Sequence, residues 1–125
     1  MPDPDPGQPP VLDEAILAEL SASVQGDRAF VVELINAYLA DGGAQVDDIE
    51  AAIAADDAAA LVRPAHTLKS SSATVGAQRL AAASRELEVA GRSGAIGSAS
   101  AASLRADWDA AKAALEAWVA GEEAL

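Results

Sequence analysis

Cysteine is absent from this chain of 125 residues, and histidine occurs once, as His66. Without thiols there is no disulfide framework and no thiolate chemistry, and a histidine-based metal site would need carboxylates to supply its other ligands. Basic side chains are scarce as well, eight against twenty acids, so the net charge of -12 repels DNA, RNA and anionic membranes. No apolar stretch approaches the roughly 20 residues that span a bilayer. The amino end, Met1 to Pro6, lacks the basic region and apolar segment of a signal peptide, so a cytoplasmic location is expected. Neither a glycine-rich phosphate loop nor a P-loop lysine motif is present, which excludes an ATP-binding kinase fold of the usual kinds. No segment alternates in the period-two manner of a strand. What remains is a chain with 51% apolar residues, enough for one domain around one core.

Five of the six prolines fall in residues 1–10, which read as a disordered tail or an extended lead-in; a helical bundle is expected over 11–122. Asp13 is a plausible cap for a short first helix carrying Ile16, Leu17 and Leu20, ending at Gly26. Asp27 caps a second segment in which Val31, Ile35, Tyr38, Gly42, Val46, Ile49 and Ile53 recur at intervals of three or four. The stripe keeps its phase through Gly42 and Gly43, so one helix to about Ala55 is expected although each glycine costs about 1 kcal/mol relative to alanine. A third helix starts at Asp56 or Asp57 and has the seam Leu61, Ala65, Leu68, Ser72 and Val75, with Gly76 as its left-handed cap. Pro64 is expected to kink it, because proline removes one hydrogen bond and crowds the preceding turn. The fourth runs from about Ala77 to Ala90 with Leu80, Ala83, Leu87 and Ala90 inward, and Gly91 to Ser98 read as a loop. The fifth, from Ser98 or Ala99 to Ala120, repeats Ala101, Leu104, Trp108, Ala111, Leu115 and Trp118, a bundle seam in which the tryptophans are core anchors. The expected fold is an all-α antiparallel four-helix bundle with a short extra N-terminal helix.

Charge is unevenly spread. Residues 58–92 hold five of the eight basic side chains (Arg63, Lys69, Arg79, Arg85, Arg92) and two of the twenty acids, a local balance of +3 that leaves -15 for the rest. This points to a local anion site. Within it, His66 lies one residue off the seam of the third helix, so successive steps of about 100° place it on the exposed shoulder. An exposed imidazole of normal basicity is largely neutral near pH 7 and can use a ring nitrogen as a nucleophile. Arg63 and Lys69, three residues to either side, are spaced to meet negative charge gathered on that ring. Phosphoryl transfer depends mainly on such alignment and electrostatic stabilisation. Ser70, Ser71 and Ser72 have no second histidine to activate them and read as small packing residues.

The stretch AHTLKSSSATVGAQRL, residues 65–80, resembles the phosphorylation motif of histidine phosphotransfer (HPt) domains of multistep two-component phosphorelays. His66, Leu68, Lys69, the small residues 70–73, Gly76-Ala77 and the later Leu87-Glu88 and Gly91 carry the likeness, which extends more loosely over residues 28–92. The resemblance implies that His66 accepts a phosphoryl group from an aspartate of one receiver domain and passes it to another, with Lys69 steadying the phosphoryl oxygens. By motif position Glu88 and Arg92 would lie beside the histidine. Ser70 stands where many members have glycine, at the entrance left for the incoming receiver loop. Apart from the resemblance, Arg63 reads either as an ordinary solvated helix residue or as a further phosphate-site neighbour. The implied partners are receiver domains of response regulators or hybrid kinases, approached by a monomer with no autonomous kinase activity. No cofactor or metal is expected on this chain, magnesium belonging to the receiver. The alternatives are a non-phosphorylated helical adaptor and a dimeric histidine-kinase fragment. A carboxylate-bridged metal bundle is opposed by the lack of Glu-x-x-His pairs, position 63 being arginine.

Overall fold

The computed structural model describes residues 8–96 and 101–123, excluding the side chains of residues 122 and 123. Five helices follow one another: α1 (Glu14–Ser23), α2 (Arg28–Ala54), α3 (Ala58–Thr74), α4 (Gln78–Ser93) and α5 (Ala101–Glu123). Among the described residues there is no strand. Three starts are written in the sequence as aspartates. Asp13, Asp27 and Asp57 accept from the backbone N–H of Ala15, Phe30 and Ala60, each at 3.1 Å, and so satisfy donors that a helix start leaves open.

α4 begins differently. Its cap residue Ala77 has no side chain to offer, and the lead-in supplies the acceptor instead: Pro10 O takes the N–H of Arg79 at 2.9 Å, and Pro9 O takes Arg79 Nε–H at 3.0 Å. Asp13 N–H also reaches Gly76 O at 2.7 Å. Pro9 and Pro10, at the end of the proline-rich segment expected to be a disordered tail, are therefore tied to the bundle. Residues 1–7 lie outside the described residues.

Turns of three residues, 55–57 and 75–77, join α2 to α3 and α3 to α4, which forces antiparallel neighbours. α5 then packs on both α2 and α4 and closes the bundle, while α1 lies against α2 and buries Leu17. The core is the set of expected seams, with Val31, Ile35, Val46, Ile49, Leu61, Leu68, Leu80, Leu104 and Leu115 all shut off from solvent. α2 runs unbroken through Gly42 and Gly43, and the reason for glycine at 42 lies across the core: a Cβ there would sit 2.7 Å from the Trp108 ring. Trp108 is thus a core anchor, its ring 5.8 Å from that of Tyr38. Trp118 is half-buried and covered by the Arg28 guanidinium at 4.0 Å from the ring centroid. Arg105 ties α5 to α2 through Asp47 and Glu50, whose paired carboxylates raise its basicity.

The end of α4 differs from the spacing, whereas α3 does not. α3 is one helix through Pro64, as expected. α4, however, continues to Ser93 rather than ending at Ala90, so Gly91 and Arg92 belong to the helix and Gly94, at φ +77, is its left-handed cap. Glycine at 91 marks a close approach, since a Cβ there would meet Ala58 O and Val62 Cγ2 at 3.0 Å. The buried arc of α4 also differs: Ala81, Ser84, Glu88 and Gly91 are buried with Leu80 and Leu87, whereas Ala83 and Ala90 are half-buried. α4 packs on both α3 and α5, and its contacts with α3 include Gly91 against Ala58 and Val62 and Glu88 with His66 and Lys69, which an apolar stripe does not reveal. The expected start of α5 at residues 98 or 99 lies outside the described residues.

Candidate functional site

The orientation of His66 follows from the seam of α3. Leu61, Ala65, Leu68 and Ser72 are fully buried on one side, and the imidazole keeps 53% of its side-chain surface exposed on the other. Turning the helix to hide His66 would expose Leu61 and Leu68, at about 1.5–3 kcal/mol for each. A step of three residues turns a side chain back by about 60°. Lys69 is thereby carried towards α4, along with Val62, which touches Gly91. The same step taken backwards carries Arg63 to the α2 side, where it lines a groove with Asp48, Asp57 and Pro64.

The side chains around His66 converge on Glu88 of α4. Its carboxylate lies 2.8 Å from His66 Nδ1, 2.7 Å from Lys69 Nζ, and 2.8 and 3.1 Å from Arg92 Nη2 and Nε. Only 8% of the Glu88 side chain is exposed. A carboxylate in that position must be paired, and here three side chains donate to it. Hydrogen bonds from Lys69 and then Arg92 hold its pKa down to about 2, against the opposing effect of burial, with His66 contributing less. The close contact at Gly91, one turn along α4, brings the two helices near enough for Glu88 to reach across.

This charge state settles the chemistry of the ring. An ionised carboxylate only accepts hydrogen bonds, so in the neutral imidazole Nδ1 carries the hydrogen and Nε2 keeps its lone pair. No protein group bonds Nε2 among the described residues. The arrangement offers one nitrogen nucleophile with two cations nearby, both already bonded to an anion.

The remaining serines follow the packing reading where the structure speaks. Ser71 Oγ donates back to Thr67 O and Leu68 O at 3.0 and 3.3 Å. Ser72 Oγ pairs with the buried Tyr38 hydroxyl at 2.7 Å, and burial pushes that phenol up to about 12. Ser70 is exposed one turn beyond His66. Of the residues singled out in the sequence, His66, Lys69, Glu88 and Arg92 are brought together. Arg63 is not, because the helical turn that sends Lys69 towards α4 sends Arg63 away from it. The centring of the cluster on Glu88 had only a weak sequence signal: a glutamate on the inner side of α4, three residues before a glycine. Among the described residues, no three His, Cys, Asp or Glu side chains are grouped to hold a metal ion, and no helix is long and apolar enough to cross a membrane.

The family model described as the Hpt domain matches residues 33–119. The fold is similar to the crystal structure of histidine-containing phosphotransfer protein B (HptB) from Pseudomonas aeruginosa PAO1, with a TM-score of 0.80 and 26% identity over 88% of this chain and 95% of that one. No curated protein matches the sequence. With the matched region spanning α2 to α5 and its one histidine exposed on α3, the chain belongs to the Hpt family of histidine phosphotransfer domains.

Proposed function

We propose that His66 is the phosphoryl carrier and that Nε2 is the atom that bears the group between receiver-domain aspartates. The observation that carries this reading is the bond between Nδ1 and Glu88, which leaves Nε2 as the unoccupied nitrogen of a half-exposed ring. Histidine phosphotransfer is the activity of the family, and this chain has a single histidine with which to perform it.

The receiver supplies the phosphoryl group as an aspartyl phosphate, together with the magnesium ion that its acidic pocket holds. Lys69 and Arg92 lie on the two helices that flank the ring, within reach of Glu88 and therefore of charge placed beside it. As the phosphoryl oxygens arrive, these cations have a second anion to bond. Ser70, exposed on the same shoulder, leaves a small side chain at the approach. The protein is a carrier charged by a partner and makes no use of ATP.

The test uses a receiver domain phosphorylated with acetyl phosphate. The wild-type chain becomes labelled with an acid-labile, alkali-stable phosphate, and His66→Gln abolishes the label. Labelling that persists in the variant refutes the assignment.

A further inference from the structure

Outside the His66 cluster, a groove opens between the amino-terminal lead-in and α4. Pro9 and Pro10 form one wall and Ala81, Ala82 and Arg85 the other, with Lys69 at its inner edge. A second hollow begins at the same Ala82 and Arg85 and runs on to Val89, which is 59% exposed. Together they make one mostly apolar path along α4. The acids that line it are Asp13, whose carboxylate caps α1, and Glu86 at the Val89 end. Arg85 stands where the two hollows meet and has no ion pair among the described residues.

We propose that the segment Met1-Pro2-Asp3-Pro4-Asp5-Pro6-Gly7 of the same chain occupies this path, with Asp5 against Arg85 and Pro4 against Val89, and that in this place it shields the approach to Lys69 and His66. A receiver arriving at His66 then has to displace the segment, so phosphoryl uptake is slowed without being stopped. The shielding rests on the reading that His66 carries the phosphoryl group; the docking of the segment does not.

Position, length and charge favour this occupant. Pro9 and Pro10 are both bonded to Arg79, so the chain meets the path at the amino end of α4, and Gly7 gives it a free joint there. Prolines at 2, 4 and 6 fix their own φ at about -65° and keep the residues before them out of the helical region. At about 3.1 Å per residue, such a chain carries Asp5 about 12 Å and Pro4 about 15 Å beyond Pro9. Along α4, Arg85 lies about 9 Å and Val89 about 15 Å beyond Arg79. Each residue of the segment therefore reaches the level of its partner. Asp3 and Asp5 are the charged side chains of the segment, and Arg85 is the cation on the path that lacks an acid. One exposed ion pair is weak, but the tether at Pro9 gives the segment an effective concentration in the millimolar range, where weak contacts suffice.

The chain has no cysteine, so Pro2→Cys in the full chain takes a single nitroxide label. Amide signals of α4 from Arg85 to Arg92 are expected to broaden, while those of α1, whose cap Asp13 lines the same groove, do not. Arg85→Glu should abolish the broadening, and adding Asp5→Lys should restore it. Asp5→Asn, which leaves α4 untouched, should speed phosphoryl uptake from a receiver about threefold, the effect of one exposed ion pair. Broadening that is missing from the labelled chain, or that survives Arg85→Glu, overturns the docking. So does broadening in unlabelled nitrogen-15 chains mixed with labelled ones, which would give the path to a second copy. Equal uptake rates with and without Asp5→Asn overturn the shielding. Failure of the wild-type chain to take up phosphate at all refutes instead the assignment of His66 as carrier, and the docking result stands apart from it.

Discussion

Gly42 and Gly43 are adjacent in α2, and replacing each with alanine should change stability in opposite directions. The gain in helix propensity is common to both and is about 1 kcal/mol. The surroundings differ. A Cβ on Gly43 finds nothing nearer than the Trp108 ring at 3.8 Å, an ordinary contact. A Cβ on Gly42 would lie 2.7 and 2.8 Å from two atoms of that ring, about 1 Å inside contact distance. Trp108 cannot easily withdraw, because it is 4% exposed and packed against Tyr38. Overpacking of this kind costs about 1–3 kcal/mol. Because the propensity gain cancels in the comparison, Gly42→Ala should be less stable than Gly43→Ala by about that amount, with Gly43→Ala somewhat more stable than wild type. Thermal unfolding followed by circular dichroism reads the difference as about 3–10 °C in Tm for a domain of this size. Equal Tm values for the two variants would show that the ring yields freely and that the glycine at 42 is not held there by Trp108.

The two cations three residues from His66 should separate in function. Lys69→Ala removes a charge bonded at the site and should slow transfer from a phosphorylated receiver about tenfold while the chain stays folded, whereas Arg63→Ala should change the rate less than about twofold; equal losses would mean that Arg63 also reaches the phosphoryl group. Glu88 sets an acid limit. Its folded pKa is depressed from 4.5 to about 2, so its contribution to stability is complete above 4.5 and is lost as the pH falls towards 2. Chemical denaturation at pH 5, 4, 3 and 2 should therefore show a smaller loss of stability in Glu88→Gln than in wild type across that window, and parallel losses would contradict the pairing.

The parts of the fold that were legible in the sequence are those set by local chemistry. Aspartate caps at positions 13, 27 and 57 and apolar residues at intervals of three and four locate helix starts and buried stripes, since both signals come from a residue and its near neighbours. The start of α4 has no such residue, and its open N–H at Arg79 is met from Pro10, 69 positions earlier in the chain. Gly91 illustrates the same limit. Read locally, a glycine followed by Arg-Ser-Gly suggests a loop, yet its meaning lies in the backbone of Ala58 on another helix.

The candidate site divides along that line too. The motif brought His66 and Lys69 into view, and the local excess of positive charge was a sound reason to expect an anion there. Part of the answer is that the protein already supplies one. Glu88 is a member of α4's buried arc, a place where an unpaired carboxylate would be costly, and it is tolerated because Lys69, Arg92 and His66 surround it. Counting charges along residues 58–92 treats Glu88 as one acid subtracted from five bases, whereas in the fold it bonds Nδ1 of His66 and both of the nearest cations, Lys69 and Arg92. A net positive segment and a cluster built around a buried negative charge are compatible, because the excess of bases is counted along the chain whereas the pairing of Lys69 and Arg92 with Glu88 is made in the fold.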